Sequence, residues 1–122
     1  MPEEELDLSE LDAGSDGTAL LKDCLAAWDG WRKGRAMPAW RDVDLLDLPA
    51  KALPCVVVAD VAPAGDDGTE RYVYRYWGSH LAEVHGRDMT GQTHEALAFD
   101  DFADWTAHVY RIVRERKAPA AF

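Results

Sequence analysis

A chain of 122 residues has room for one domain and one core, and 48% hydrophobic residues, with five Trp, four Tyr and three Phe, suffice to fill it. The net charge of −10 sits mostly at the start: residues 1–17 hold seven acids (Glu3, Glu4, Glu5, Asp7, Glu10, Asp12 and Asp16) and no base, which leaves 16 acids against 13 bases in the remainder. Such a balance repels phosphate backbones and anionic lipid, so neither nucleic acid nor a membrane surface is expected as the main partner.

Residues 1–17 read as an acidic disordered leader, closed by Gly14, Ser15, Asp16 and Gly17, with one domain over residues 18–122. The leader lacks the basic start and apolar stretch of a signal peptide, and no run approaches the length of a membrane span, which suggests a cytoplasmic protein. Cys24 and Cys55 form no CxxC and fall in different elements, so they read as two small buried thiols in a reducing compartment.

From Thr18, a plausible N-cap, Leu21, Cys24, Leu25, Trp28 and Trp31 recur at helical steps, and Gly34 with Pro38 stops the run. Residues 35–54 alternate short apolar pairs with Asp42, Asp44 and Asp47 and carry three prolines, an irregular connection with a short helix near Leu45–Leu53. Cys55–Val61 is β-branched and bounded by Pro54 and Pro63, and Ala64–Thr69 is a strong turn signal. Glu70–Trp77 then completes an antiparallel hairpin. Strict alternation places Tyr72, Tyr74 and Tyr76 on one face and Arg71, Val73, Arg75 and Trp77 on the other.

A short helix over Ser79–Val84, broken at Gly86, precedes a loop at Arg87–Gln92 and a helical turn at Glu95–Phe99. Asp100 or Asp101 caps a long helix on which Phe102, Trp105, Val109, Ile112, Val113 and the Arg116 stem share a face. Arg111, Arg114, Arg116 and Lys117 crowd its C-terminal end, which suits the helix dipole. Residues 118–122 read as the start of an extended element.

No nucleophile elbow, phosphate-binding glycine loop or HExxH occurs, so the chain is not read as an enzyme. Arg75 is either an anion anchor or a surface partner of an acid. Tyr72, Tyr74 and Tyr76 either line a ligand pocket or fill the core. His80, His85 and His94 do not have the spacing of a metal set and read as loop histidines.

The order of pieces resembles a bacterial subfamily of PAS domains, small single-domain proteins. The likeness rests on the Trp-bearing helix, then G-R-x-M-P from Gly34, Asp42-Val43-Asp44, Leu53-Pro54 and the strand ending Ala59-Asp60-Val61. Tyr74-Arg75-Tyr76-Trp77-Gly78-Ser79 and Gly86-x-Asp88-x-Thr90-Gly91 are its more specific blocks. It covers about residues 20–122 and departs at Leu45, where the family often has proline, and after Phe122, where most of the last three strands would follow.

The resemblance implies an α+β fold, an antiparallel sheet curved around short helices and one long helix. It also implies a domain incomplete at its C-terminus, or one completed by another chain, with the Cys55–Val61 edge left open. The implied function is a non-catalytic sensory or regulatory module that binds a small molecule or a protein partner. Its expected pocket draws on Tyr72, Tyr74, Arg75, Tyr76, Trp105 and His108. The alternative is a dimerising scaffold with a filled core, its interface on Trp28 and Trp31. A weaker alternative is a haem or metal sensor through His108, since haem-binding PAS domains use a histidine on this helix. The flavin-linked reactive-cysteine motif is absent, and no cofactor is required.

Overall fold

The computed structural model describes residues 16–97 and 100–120. The expected leader, save its last two residues, lies outside the described residues. So do the last two residues of the expected turn at Glu95–Phe99 and the last two of the extended start at 118–122. The chain divides into two compact units, one spanning Pro54–Tyr110 and the other built from the residues before and after it.

The second unit holds α1, Asp16–Arg32. Cys24, Leu25, Trp28 and Trp31 are half-buried, whereas Leu21, expected on the same stripe, is 57% exposed. The Trp31 indole donates to Asp47 Oδ2 at 2.8 Å, and the Arg32 guanidinium lies 5.9 Å from the centre of the Trp28 ring. Lys33 Nζ and Arg35 Nη2 both grip the Asp42 carboxylate and hold it below the usual carboxylate range. The expected short helix near 45–53 is instead two single turns of 3₁₀ helix, Leu45–Asp47 and Leu53–Cys55. Asp44 caps the first of them by accepting from the Leu46 N–H at 3.0 Å. The prolines at 49 and 54 keep either from lengthening.

In the first unit, β1 (Val57–Ala62) and β2 (Arg71–Trp77) pair antiparallel, as the hairpin pattern requires. The mixed helix-and-strand composition is therefore α+β. β1 starts two residues later than expected, because Cys55 closes the 3₁₀ turn that contains Pro54. Cys55 is accordingly exposed, not buried, while burial and the Asp23 charge raise the pKa of the half-buried Cys24 thiol.

Strict alternation fails at Arg75. Val58 pairs with Tyr76 and Ala59 with Tyr74, so Arg75 is the extra residue of a β-bulge. The bulge shifts the phase of the strand. Trp77, opposite Val57, joins Tyr72 and Tyr74 on one face, and Tyr76 moves to the other beside Val58. The expected three-tyrosine face is thus two tyrosines and a tryptophan.

α2 (Ser79–His85) ends at Gly86, whose φ of 93° supplies the left-handed cap. The following loop is more than a turn. Asp88 Oδ1 accepts from the Thr90 N–H and hydroxyl at 2.9 and 2.6 Å, which folds the loop back. Met89, completely buried, drops into the core. Gly91 N–H then donates to Tyr74 O at 2.7 Å and Tyr74 N–H to Gln92 O at 2.9 Å, so residues 91–93 cover the outer edge of β2. Among the described residues, β1 has no strand on its other edge.

α3 (Asp100–Arg116) contributes its residues up to Tyr110 to this unit. Its most buried positions are Ala103, Thr106 and Ala107, small residues that permit close approach, flanked by half-buried Phe102, Trp105 and Tyr110. Tyr74, Met89, Leu97 and Ala103 form the core, with Val57, Ala59, Trp77, Ala96, Phe102 and Tyr110 packed against it.

Candidate functional site

The bulge in β2 and the helical repeat of α3 together wall a half-open apolar cavity of about 200 Å³. The strands supply Val57, Tyr74 and Trp77, and α2 supplies Leu81. Leu97 precedes α3, which contributes Phe102, Trp105, Thr106, Val109 and Tyr110. Those five recur at steps of three, one, three and one, the spacing of a single helix face.

The walls are held by ring-on-ring contacts. Tyr74 meets Trp77 edge-to-face with centroids 4.8 Å apart, Tyr72 meets Tyr110 at 5.3 Å, and Phe102 stacks on Trp105 at 6.3 Å. The Tyr74 and Tyr110 hydroxyls share a hydrogen bond at 3.2 Å. Burial, then that bond, pushes the Tyr74 phenol far above its ordinary range. Burial also raises Tyr110, partly offset by the bond. Both stay neutral, so the cavity carries no charge from them.

The residues expected at a pocket separate here. Tyr74 and Trp105 line the cavity; Tyr72, Arg75, Tyr76 and His108 are not among its lining residues. Tyr72 is buried beside His94, 5.4 Å ring to ring. Arg75 projects from the bulge, and its Nε donates to Asp60 Oδ1 at 3.0 Å across the hairpin, with both side chains about half exposed. That is the surface pairing, not the anion anchor. Tyr76 and His108 are half-buried.

The histidines also differ in placement. His94 is buried, and its Nδ1 accepts from the Tyr72 N–H at 3.4 Å. His85 lies edge-on to Trp77, and His80 is exposed. Among the described residues no group of three or more His, Cys, Asp or Glu could hold a metal ion, and no helix is long and apolar enough to cross a membrane.

Of the lining residues, sequence reasoning named only Tyr74 and Trp105 for a pocket and missed the other eight, Trp77, Thr106 and Tyr110 among them. For the α3 residues a signal existed: admitting Thr106 and Tyr110 to the Phe102–Trp105–Val109 stripe completes the face. For Trp77 none did, because a single-residue bulge leaves no mark in the alternation of Arg71–Trp77.

Compared with protein-family models, with curated proteins and with solved structures, the chain matches none.

Proposed function

We propose that this chain is a PAS-type sensory module, non-catalytic, that binds a small apolar molecule in the cavity between β2 and α3 and passes on the resulting change in packing. The observation that carries the reading is the cavity itself: an unfilled, uncharged space walled by aromatic side chains from a bulged strand and a long helix. The order of elements supports the kinship. A hairpin, a short helix, a glycine-bounded loop and a long helix succeed one another as the resemblance implies. The two sequence blocks have structural roles that fit it: Tyr74 in the core, Gly78 at a close crossing, Gly86 and Asp88 shaping the loop that seals β2. A cytoplasmic setting suits the two free thiols. The alternative, a dimerising scaffold with a filled interior, fits an unfilled apolar cavity less well.

The test is a thermal-shift screen with compact apolar fragments on the whole chain, beside a Val109→Phe variant that fills the cavity. A ligand at one hundred times its Kd stabilises the fold by about 2.7 kcal/mol, a shift of about 10 °C. Hits that stabilise the parent and not the variant support the reading. A screen in which the parent responds no more than Val109→Phe refutes it.

A further inference from the structure

Three donors in the cavity wall have nothing to donate to. The indole N–H groups of Trp77 and Trp105 and the hydroxyl of Thr106 are buried without a hydrogen-bond partner, and all three side chains line the same space. Thr106 is only 6% exposed. Folded proteins rarely leave a buried donor unpaired, because it loses its hydration and gains nothing in return. The Tyr74 and Tyr110 hydroxyls, bonded to each other, do not relieve them, because neither stands within hydrogen-bond geometry of the three donors.

The wall also excludes ligand classes. None of its side chains is Lys, Arg or His, so a carboxylate or phosphate would be desolvated without a counter-charge. None is Asp or Glu, so an ammonium fares no better. A pure hydrocarbon would leave all three donors unpaired. The size sets a further limit: a dry cavity of about 150 Å³ holds benzene, so about 200 Å³ admits one ring with substituents or two small fused rings.

Building on the small-molecule reading, we infer that the ligand is an uncharged, compact, mostly hydrocarbon molecule bearing a carbonyl-type oxygen, which accepts from Trp77, Trp105 and Thr106. The donor atoms are closed to solvent, so binding requires a tilt of an indole ring or a turn of the threonine side chain to bring them to the acceptor.

Three probes of similar size separate the chemistry: 1-tetralone, which carries a carbonyl, tetralin, which does not, and 1-naphthoate, which carries a charge. Each is titrated into the ¹⁵N-labelled whole chain while the indole N–H resonances are followed. Trp31, already bonded to Asp47, serves as the internal reference.

The expected result is that 1-tetralone moves the Trp77 and Trp105 signals and binds about 5–10-fold tighter than tetralin, the gain of one or two neutral hydrogen bonds. 1-Naphthoate should not bind. Thr106→Val, equal in shape, and Trp105→Phe, which removes a second donor, should each narrow the preference for 1-tetralone. Tetralin binding as tightly as 1-tetralone, or 1-naphthoate binding more tightly than either, overturns the ligand class and leaves the cavity as a binding site. If none of the three moves the Trp77 or Trp105 signal, the ligand class and the small-molecule reading fail together.

Discussion

Gly78→Ala should damage the first unit more than the same change at its other described glycines. A Cβ at Gly78 would stand 2.2 Å from Pro54 O, 2.4 Å from Pro54 C and 2.9 Å from Cys55 N, where ordinary contact begins at 3.4 Å. Backbone preference is not the obstacle, since φ −60° and ψ 147° suit alanine well. The obstacle is backbone atoms, which cannot rotate aside as a side chain can. Relief requires the Leu53–Cys55 turn to move about 1 Å, which strains the 2.9 Å hydrogen bond from Gly78 N–H to Val56 O.

Overpacking of this kind costs about 1–3 kcal/mol, and the weakened bond about 1 more. The total is a sizeable share of the roughly 6–18 kcal/mol expected for a chain of this length. In urea the midpoint should fall by about 1–2 M. Gly30→Ala is the control. It lies within α1 with nothing inside 4 Å, and the same substitution there should stabilise by about 0.5–1 kcal/mol. A Gly78→Ala midpoint equal to that of the parent would refute the close crossing, and with it the path of the chain into α2.

Met89→Ala empties a completely buried position and should cost about 2–5 kcal/mol by urea melt; a loss under 1 kcal/mol would show the loop is not seated in the core. Thr106→Val removes an unpaired buried hydroxyl at nearly constant shape, so it should raise the unliganded midpoint by the equivalent of about 1 kcal/mol, where a satisfied hydroxyl would give a loss. Tyr74 and Tyr110 hold their protons more tightly folded than unfolded. Stability should therefore be full below pH 10, the ordinary tyrosine value, and fall above it by up to about 1.4 kcal/mol per pH unit for each. A urea series from pH 8 to 11 checks this, and Tyr74→Phe should flatten the decline. Arg75→Ala breaks a half-exposed pair with Asp60 and should change stability by under 1 kcal/mol and fragment binding by less than twofold in the same thermal-shift assay.

What the residues disclosed in advance follows from how far each signal reaches. The hairpin was legible because Cys55–Val61 and Glu70–Trp77 are rich in β-branched and aromatic residues and bounded by proline, glycine and aspartate, all local cues. α3 was legible from its repeat, and Gly86 from its place at the end of α2. The bulge at Arg75 was not, because an inserted residue changes which face Trp77 takes without changing composition. The loop Arg87–Gln92 was legible as a loop, but the seating of Met89 was not, because it is one apolar residue among polar ones; its burial depends on β2 offering Tyr74 O and N–H to Gly91 and Gln92. Thr106 carries no apolar signal of its own, though a threonine flanked by Ala103 and Ala107 is well suited to a tightly approached helix face. The cavity combines these misses: it needs both the phase shift at Arg75 and the face of α3 that runs through Thr106 and Tyr110.

Diffraction from crystals pressurised with xenon tests the cavity most directly. The account predicts a strong xenon peak ringed by Trp77, Leu97, Phe102 and Trp105, absent from the Val109→Phe variant. A space filled by side chains, with no xenon there, would contradict it.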